Sequence, residues 1–195
     1  DAVGGWRGLV ESVAPGLVFV VIFTITRTTR PALIGALAVA AVAVLLRLVQ
    51  RQRLEQALSG LLGVVIGVVW AATSGRSENF FAGGLLANVG YAVVTVISIL
   101  VRWPLVGVVV ELFRNRGMGW RNNPGVVRRY ALGTWLLAGM FLARLAVQVP
   151  LYFAGNTVAL GTAKLAMGVP LTVLTLWLVW LVVRSADVAV VPDQP

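Results

Sequence analysis

Six runs of about 20 predominantly apolar residues, each the length of a helix across a bilayer, follow one another with mostly short polar joints. They fall at Leu9–Thr26, Pro31–Val49, Leu54–Thr73, Asn79–Val101, Tyr130–Ala154 and Thr162–Val183. In hydrocarbon no water answers backbone N–H and C=O groups, so apolar runs of this length fold as helices. The sequence therefore predicts an all-α integral membrane bundle of six transmembrane helices in one domain over residues 1–195. A composition of 59% hydrophobic and 12% charged residues sets the chain apart from soluble domains. The first run lacks a small-residue cleavage site followed by a soluble domain, and is expected to remain as a span.

The joints carry helix-ending punctuation: Thr28, Thr29, Arg30 and Pro31, then Ser74, Gly75 and Arg76, then Gly155 and Asn156. Short joints make neighbouring helices antiparallel. Orientation follows from the basic residues. Arg7, Arg47, Arg51, Arg53, Arg102, Arg114, Arg116, Arg121, Arg128, Arg129 and Arg184 fall at one set of ends, against Arg27, Arg30, Arg76 and Lys164 at the other. The positive-inside rule then places both termini in the cytoplasm and the chain in the inner membrane. The net charge of +9 is explained by topology and anionic headgroups, not by nucleic acid. Trp6, Trp103, Trp120, Trp177 and Trp180 are expected near the inner interface and Trp70 near the outer one.

The longest connection runs over residues 103–129, and its apolar part, Leu105–Phe113, is too short to span. It reads as a short interfacial helix between helices four and five, lying on the cytoplasmic headgroups. Asn123 and Pro124 read as a cap and first-turn pair opening the next helix. The connection offers a docking surface for a protein partner or anionic lipid, or serves only to set topology.

Within the fourth run, Asn88, Tyr91, Thr95, Ser98 and Arg102 recur at spacings of three and four and so share one helical face. Polar groups unpaired in hydrocarbon cost several kcal/mol, so this stripe is expected to face other helices. Arg144 lies well inside the fifth run with Gln148 a turn further on, and Lys164 opens the sixth, followed on its face by Gly168, Thr172 and Thr175. Asn88, Tyr91, Arg144, Gln148 and Lys164 are the candidate ligand-binding residues, two cations among neutral donors, which suits an anionic lipid or lipid-like ligand. The competing reading makes Arg144 a structural cation that reaches helix-end carbonyls or Glu11. Gly60, Gly63 and Gly67 form a small-residue stripe read as close helix packing.

The absence of Cys and His excludes disulfides, thiolate chemistry, imidazole metal ligation and histidine-based triads, and no metal or other cofactor is expected. Glu11, four residues before Pro15, is the candidate catalytic acid; it either pairs with an arginine near the interface or, drawn inward, donates a proton.

Several phrases together carry a resemblance: Glu11–Phe19, Gln56–Gly63, Asn88–Tyr91, Arg102–Gly107, Arg144–Leu151 and Lys164–Gly168. The chain resembles an uncharacterised actinobacterial family of small membrane proteins with a domain of unknown function. It is also distantly similar to the intracellular septation protein A family of inner-membrane proteins, which implies a role in envelope synthesis or division through protein partners. Three functions compete. The first is an envelope-associated protein that binds membrane lipid in a polar cavity. The second is a membrane-integral enzyme on an isoprenoid or lipid, a cyclase initiated by Glu11. The third is a transporter or ion pathway, for which a chain of this size would form a homodimer.

Overall fold

The computed structural model describes residues 5–49, 55–114 and 117–187; within them, the side chains of 5–12, 47, 55–60 and 185–187 fall outside the description, Glu11 among them. The described chain is helical throughout. Its elements are α1 (Gly5–Thr26), α2 (Thr29–Val49), α3 (Glu55–Ser74), α4 (Ala82–Leu100), α5 (Leu105–Arg114), α6 (Pro124–Phe153), α7 (Thr157–Ala166) and α8 (Val169–Asp187), with 3-10 turns at Ser77–Phe81 and Gly119–Asn122. Among the described residues four stretches are long and apolar enough to cross a membrane: Thr29–Leu46, Ser77–Leu100, Pro124–Phe153 and Thr157–Arg184. Of α1 and α3, the parts with described side chains, Val13–Thr26 and Leu61–Ser74, are apolar as well. Side chains such as Ile25, Leu62, Leu86, Leu100 and Phe153 stand exposed, as a surface bathed in lipid permits. This is a membrane protein with transmembrane helices.

The helix ends follow from local chemistry. Arg27 closes α1 in the left-handed region, φ 53°, with its N–H on the Phe23 carbonyl at 2.9 Å. Arg102 does the same for α4 at φ 58°; its N–H meets Ile99 O, and that of Trp103 meets Ser98 O, the paired bonds of a Schellman motif. Pro104 then prevents continuation. Gly155, φ 66°, ends α6 with the same pair of bonds, to Tyr152 O and, from Asn156, to Leu151 O. Asn156 at once caps α7, its side chain accepting from Ala159 N at 3.1 Å. Asn123 opens α6 by accepting from Gly125 N and Val126 N.

Two expected helices are subdivided. The sixth run breaks after Ala166, because Pro170 has no N–H for the Ala166 carbonyl and Met167 and Gly168 close the turn on Ala163 and Leu165 instead. The fourth run opens with the 3-10 turn Ser77–Phe81 before α4 begins. Pro150 inside α6 likewise frees the Ala146 carbonyl.

The chain divides into two compact units, one of Asp1–Leu86 with Val147–Val169 and the other of Ala87–Ala146 with Pro170–Pro195. Two of the three division points thus coincide with a proline's missing donor. In the first unit α1 packs on α2 and α7, α2 on α3, and the first 3-10 turn on α3 and α7. Lipid tails are as apolar as leucine, so close contact rather than burial from water drives this packing, and small residues allow it. Ala32, Ala36, Ala71 and Leu160 are buried around Phe19, which stacks on Phe80 at 4.2 Å and meets Phe81 edge-on at 5.4 Å. A Cβ at Gly161 would meet Val20 and Phe81, and one at Gly67 would meet the Phe80 carbonyl. Gly67 is therefore a packing glycine, as expected, whereas Gly63 faces open space.

In the second unit Val106, Trp120, Val126, Tyr130, Val179 and Val183 form the core. Trp120, expected near the inner interface, belongs to this core. It is buried against Tyr130, ring centroids 5.3 Å apart and nearly perpendicular, with its indole N–H the one buried side-chain donor without a partner among the described residues.

Candidate functional site

At one end of the first unit, three joints meet in a polar cluster that spacing arguments do not reveal. Tyr152 OH donates to Asn79 Oδ1 at 2.5 Å, Asn79 Nδ2 donates to Ser74 Oγ at 2.6 Å, and Ser74 Oγ donates to the Trp70 carbonyl at 2.6 Å. Thr29 and Ser77 share a hydrogen bond between hydroxyls. Glu78, buried, pairs with Arg76, whose Nε donates to Oε1 at 2.7 Å. Hydrogen bonding and then the charge of Glu78 hold the Arg76 guanidinium above its ordinary range. Each buried polar group here has a partner, as groups removed from water require. The cluster ties α2, α3 and the end of α6 together.

Lys164, on α7, is placed differently. Its Nζ lies 4.9 Å from the centroid of the Phe81 ring, and a Cβ built on Gly84 would collide with it. Gly84 thus leaves the space that the ammonium occupies, beside the first turn of α4. No hydrogen bond or ion pair to the ammonium is found among the described residues. A cation over an aromatic face gains about 0.5–2 kcal/mol. That is less than the roughly 2.5–3.5 kcal/mol that a lysine at the centre of a span would cost, an upper bound for Lys164 near the start of Thr157–Arg184. The first turn of α4 favours anions, whereas the last turn of α7, where Lys164 sits, favours cations, so the two helix ends act on this charge in opposite senses.

Arg144, in the second unit, donates from Nη2 to Thr172 Oγ1 on α8 at 2.6 Å. Tyr91 leans on Phe141, centroids 5.3 Å apart, and is 58% exposed. Asn88 is half-buried in that unit, and Gln148 is buried in the first. The described contacts of Tyr91, Arg144 and Lys164 run to residues outside the predicted set.

The stripe on α4 departs from the expectation that all five polar residues face inward. Thr95 is buried, but its hydroxyl reaches back to the carbonyls of Tyr91 and Ala92 at 2.8 and 2.9 Å. Ser98 donates to Thr95 O and accepts from Leu105 N. Hydroxyls satisfied by their own helix need no polar helix opposite. Tyr91 is exposed, and so is Arg102, a residue expected at a helix end and not in the seam.

A second buried carboxylate went unread in the sequence. Glu111, on α5, accepts from Tyr130 OH at 2.5 Å, and the Tyr130 ring lies against Gly107 and Trp120. Thr134 accepts from Val106 N at 3.2 Å and donates to Tyr130 O. One acid amid apolar residues gives no periodic signal; only its placement on the inner face of a ten-residue helix separates it from a solvated charge.

The chain belongs to a protein family of unknown function (DUF3159), whose model matches residues 3–190. No curated protein and no solved structure matches it.

Proposed function

We propose that this protein is a lipid-binding component of the cell envelope, spanning the inner membrane six times with both termini in the cytoplasm, and that Lys164 holds an anionic headgroup. The observation that carries the reading is the Lys164 ammonium, set in an apolar span against Phe81 and Gly84 with neither a hydrogen bond nor an ion pair among the described residues. An uncompensated charge in hydrocarbon is costly, and an amphiphile from the surrounding bilayer supplies the missing anion at local concentration. One ammonium neutralises one charge. A phosphodiester or carboxylate headgroup therefore suits the site better than a diphosphate, whose surplus charge would itself be stranded. Gln148, in the same unit as Lys164, remains a proposed ligand residue; Asn88, Tyr91 and Arg144 lie in the other unit, where Arg144 is bonded to Thr172.

Quantifying lipid that co-purifies in mild detergent tests this. The expected result is one anionic lipid class enriched over its share of the source membrane. A lipid profile equal to that of the membrane would remove the proposal.

A further inference from the structure

Helix α5 buries one face and exposes an apolar one. Its inner face, Val106, Gly107 and Glu111, is buried and fastened by the bonds to Thr134 and Tyr130. Its outer face presents Val109, Leu112 and Phe113 at helical spacing, 42%, 74% and 84% exposed. Ten residues make about 15 Å of helix, half of what a span needs. The helix follows a closed Schellman turn at Arg102 and a buried Pro104, so it does not continue α4.

The charges around it have one sign. Between residues 101 and 130 the sequence carries Arg102, Arg114, Arg116, Arg121, Arg128 and Arg129 against the single acid Glu111. That acid is turned inward under Tyr130, while Arg102, Arg121 and Arg128 are exposed. Arg121 is further held with its guanidinium 4.2 Å from the centroid of the Trp103 ring.

We propose that the outer face of α5 is seated in the headgroup and acyl boundary of an anionic lipid leaflet, with Leu112 and Phe113 inserted and the arginines on lipid phosphates. Exposed arginines in the segments flanking α5, together with its protruding apolar side chains, match such a surface in both charge and polarity, and in-plane helices bury their apolar side only about 5–10 Å deep. This site uses none of the residues around Lys164, so the two proposals stand or fall separately.

The chain has no cysteine, which allows single nitroxide labels. Labels at Phe113→Cys and Leu112→Cys, with Asn122→Cys as an aqueous reference, are read by oxygen and nickel-chelate accessibility in nanodiscs of phosphatidylcholine with and without phosphatidylglycerol. The expected result is an oxygen-to-nickel ratio several-fold higher at 112 and 113 than at 122. It rises further with phosphatidylglycerol, and Arg121→Gln with Arg128→Gln removes that rise. Labels open to nickel place the face in water, and labels shielded from both reagents place it under a protein; either overturns the proposal. Equal ratios in the two lipid mixtures overturn its anionic part.

Discussion

Arg144 and Lys164 both lie within stretches long and apolar enough to cross a membrane, and their surroundings differ in kind. Arg144 in the second unit already has a side-chain acceptor, the Thr172 hydroxyl. Lys164 in the first has an aromatic face and a glycine. The polar cluster near one end of the first unit sharpens the contrast, because there Glu78, Asn79 and Ser77 are each answered by a neighbour. The same unit leaves the Lys164 ammonium without a hydrogen bond or ion pair among the described residues. The difference teaches that an intramembrane charge must be judged by what meets it, not by its depth. Arg144 is held in place by the protein; Lys164 is placed to meet something else.

The largest expected effect is on stability, and it differs in sign between the two positions. In delipidated protein, Lys164→Met should stabilise by up to about 2.5 kcal/mol, the scale of removing a lysine from mid-span. Arg144→Met should instead cost about 1 kcal/mol, the usual worth of a hydrogen bond. Denaturant titration in detergent reads both, and shifts of the same sign would erase the distinction.

Smaller, and more selective, is the effect of filling the space that the ammonium occupies. Gly84→Ala puts a methyl group where Nζ lies, and the flexible lysine must yield. Bound anionic lipid should fall about threefold, a loss of ~0.65 kcal/mol. In a Lys164→Met background the same change should do nothing further, since the cycle then has no interaction left to report. A threefold loss that persists in that background would assign the effect to backbone packing instead.

Smallest is the effect of the polar cluster. Tyr152→Phe removes the bond to Asn79, and interhelical hydrogen bonds in membrane proteins average about 0.6 kcal/mol. Stability should drop by about that much while lipid retention stays unchanged. A change in retention would extend the binding site into the cluster.

Much of the architecture was legible because bilayer length, turn residues and capping leave marks in local sequence. Gly155 and Asn156 were readable as a joint, and Asn123 with Pro124 as a helix start, since each acts on its own neighbours. The break after Ala166 was hidden by unbroken apolar character across Met167, Gly168 and Pro170. On α4 the periodicity was read correctly, but its meaning was not. Thr95 and Ser98 bond to carbonyls of their own helix, so a shared face did not demand polar groups opposite. Lys164 and Arg144 stood out as charges in apolar runs. Phe81 and Gly84 did not, because a ring and a missing side chain some eighty positions away acquire meaning only once α7 packs beside the start of α4.

The most direct measurement is native mass spectrometry of the intact protein, of Lys164→Met and of Lys164→Arg, all purified in the same mild detergent. The account predicts a bound anionic lipid on the wild type and at least about a tenfold loss with Met. That is the ~1.4 kcal/mol per decade expected from losing a charge-assisted hydrogen bond. Arginine, which keeps the charge, should retain most of the lipid. Equal lipid on wild type and Lys164→Met would contradict the claim that this lysine binds the headgroup.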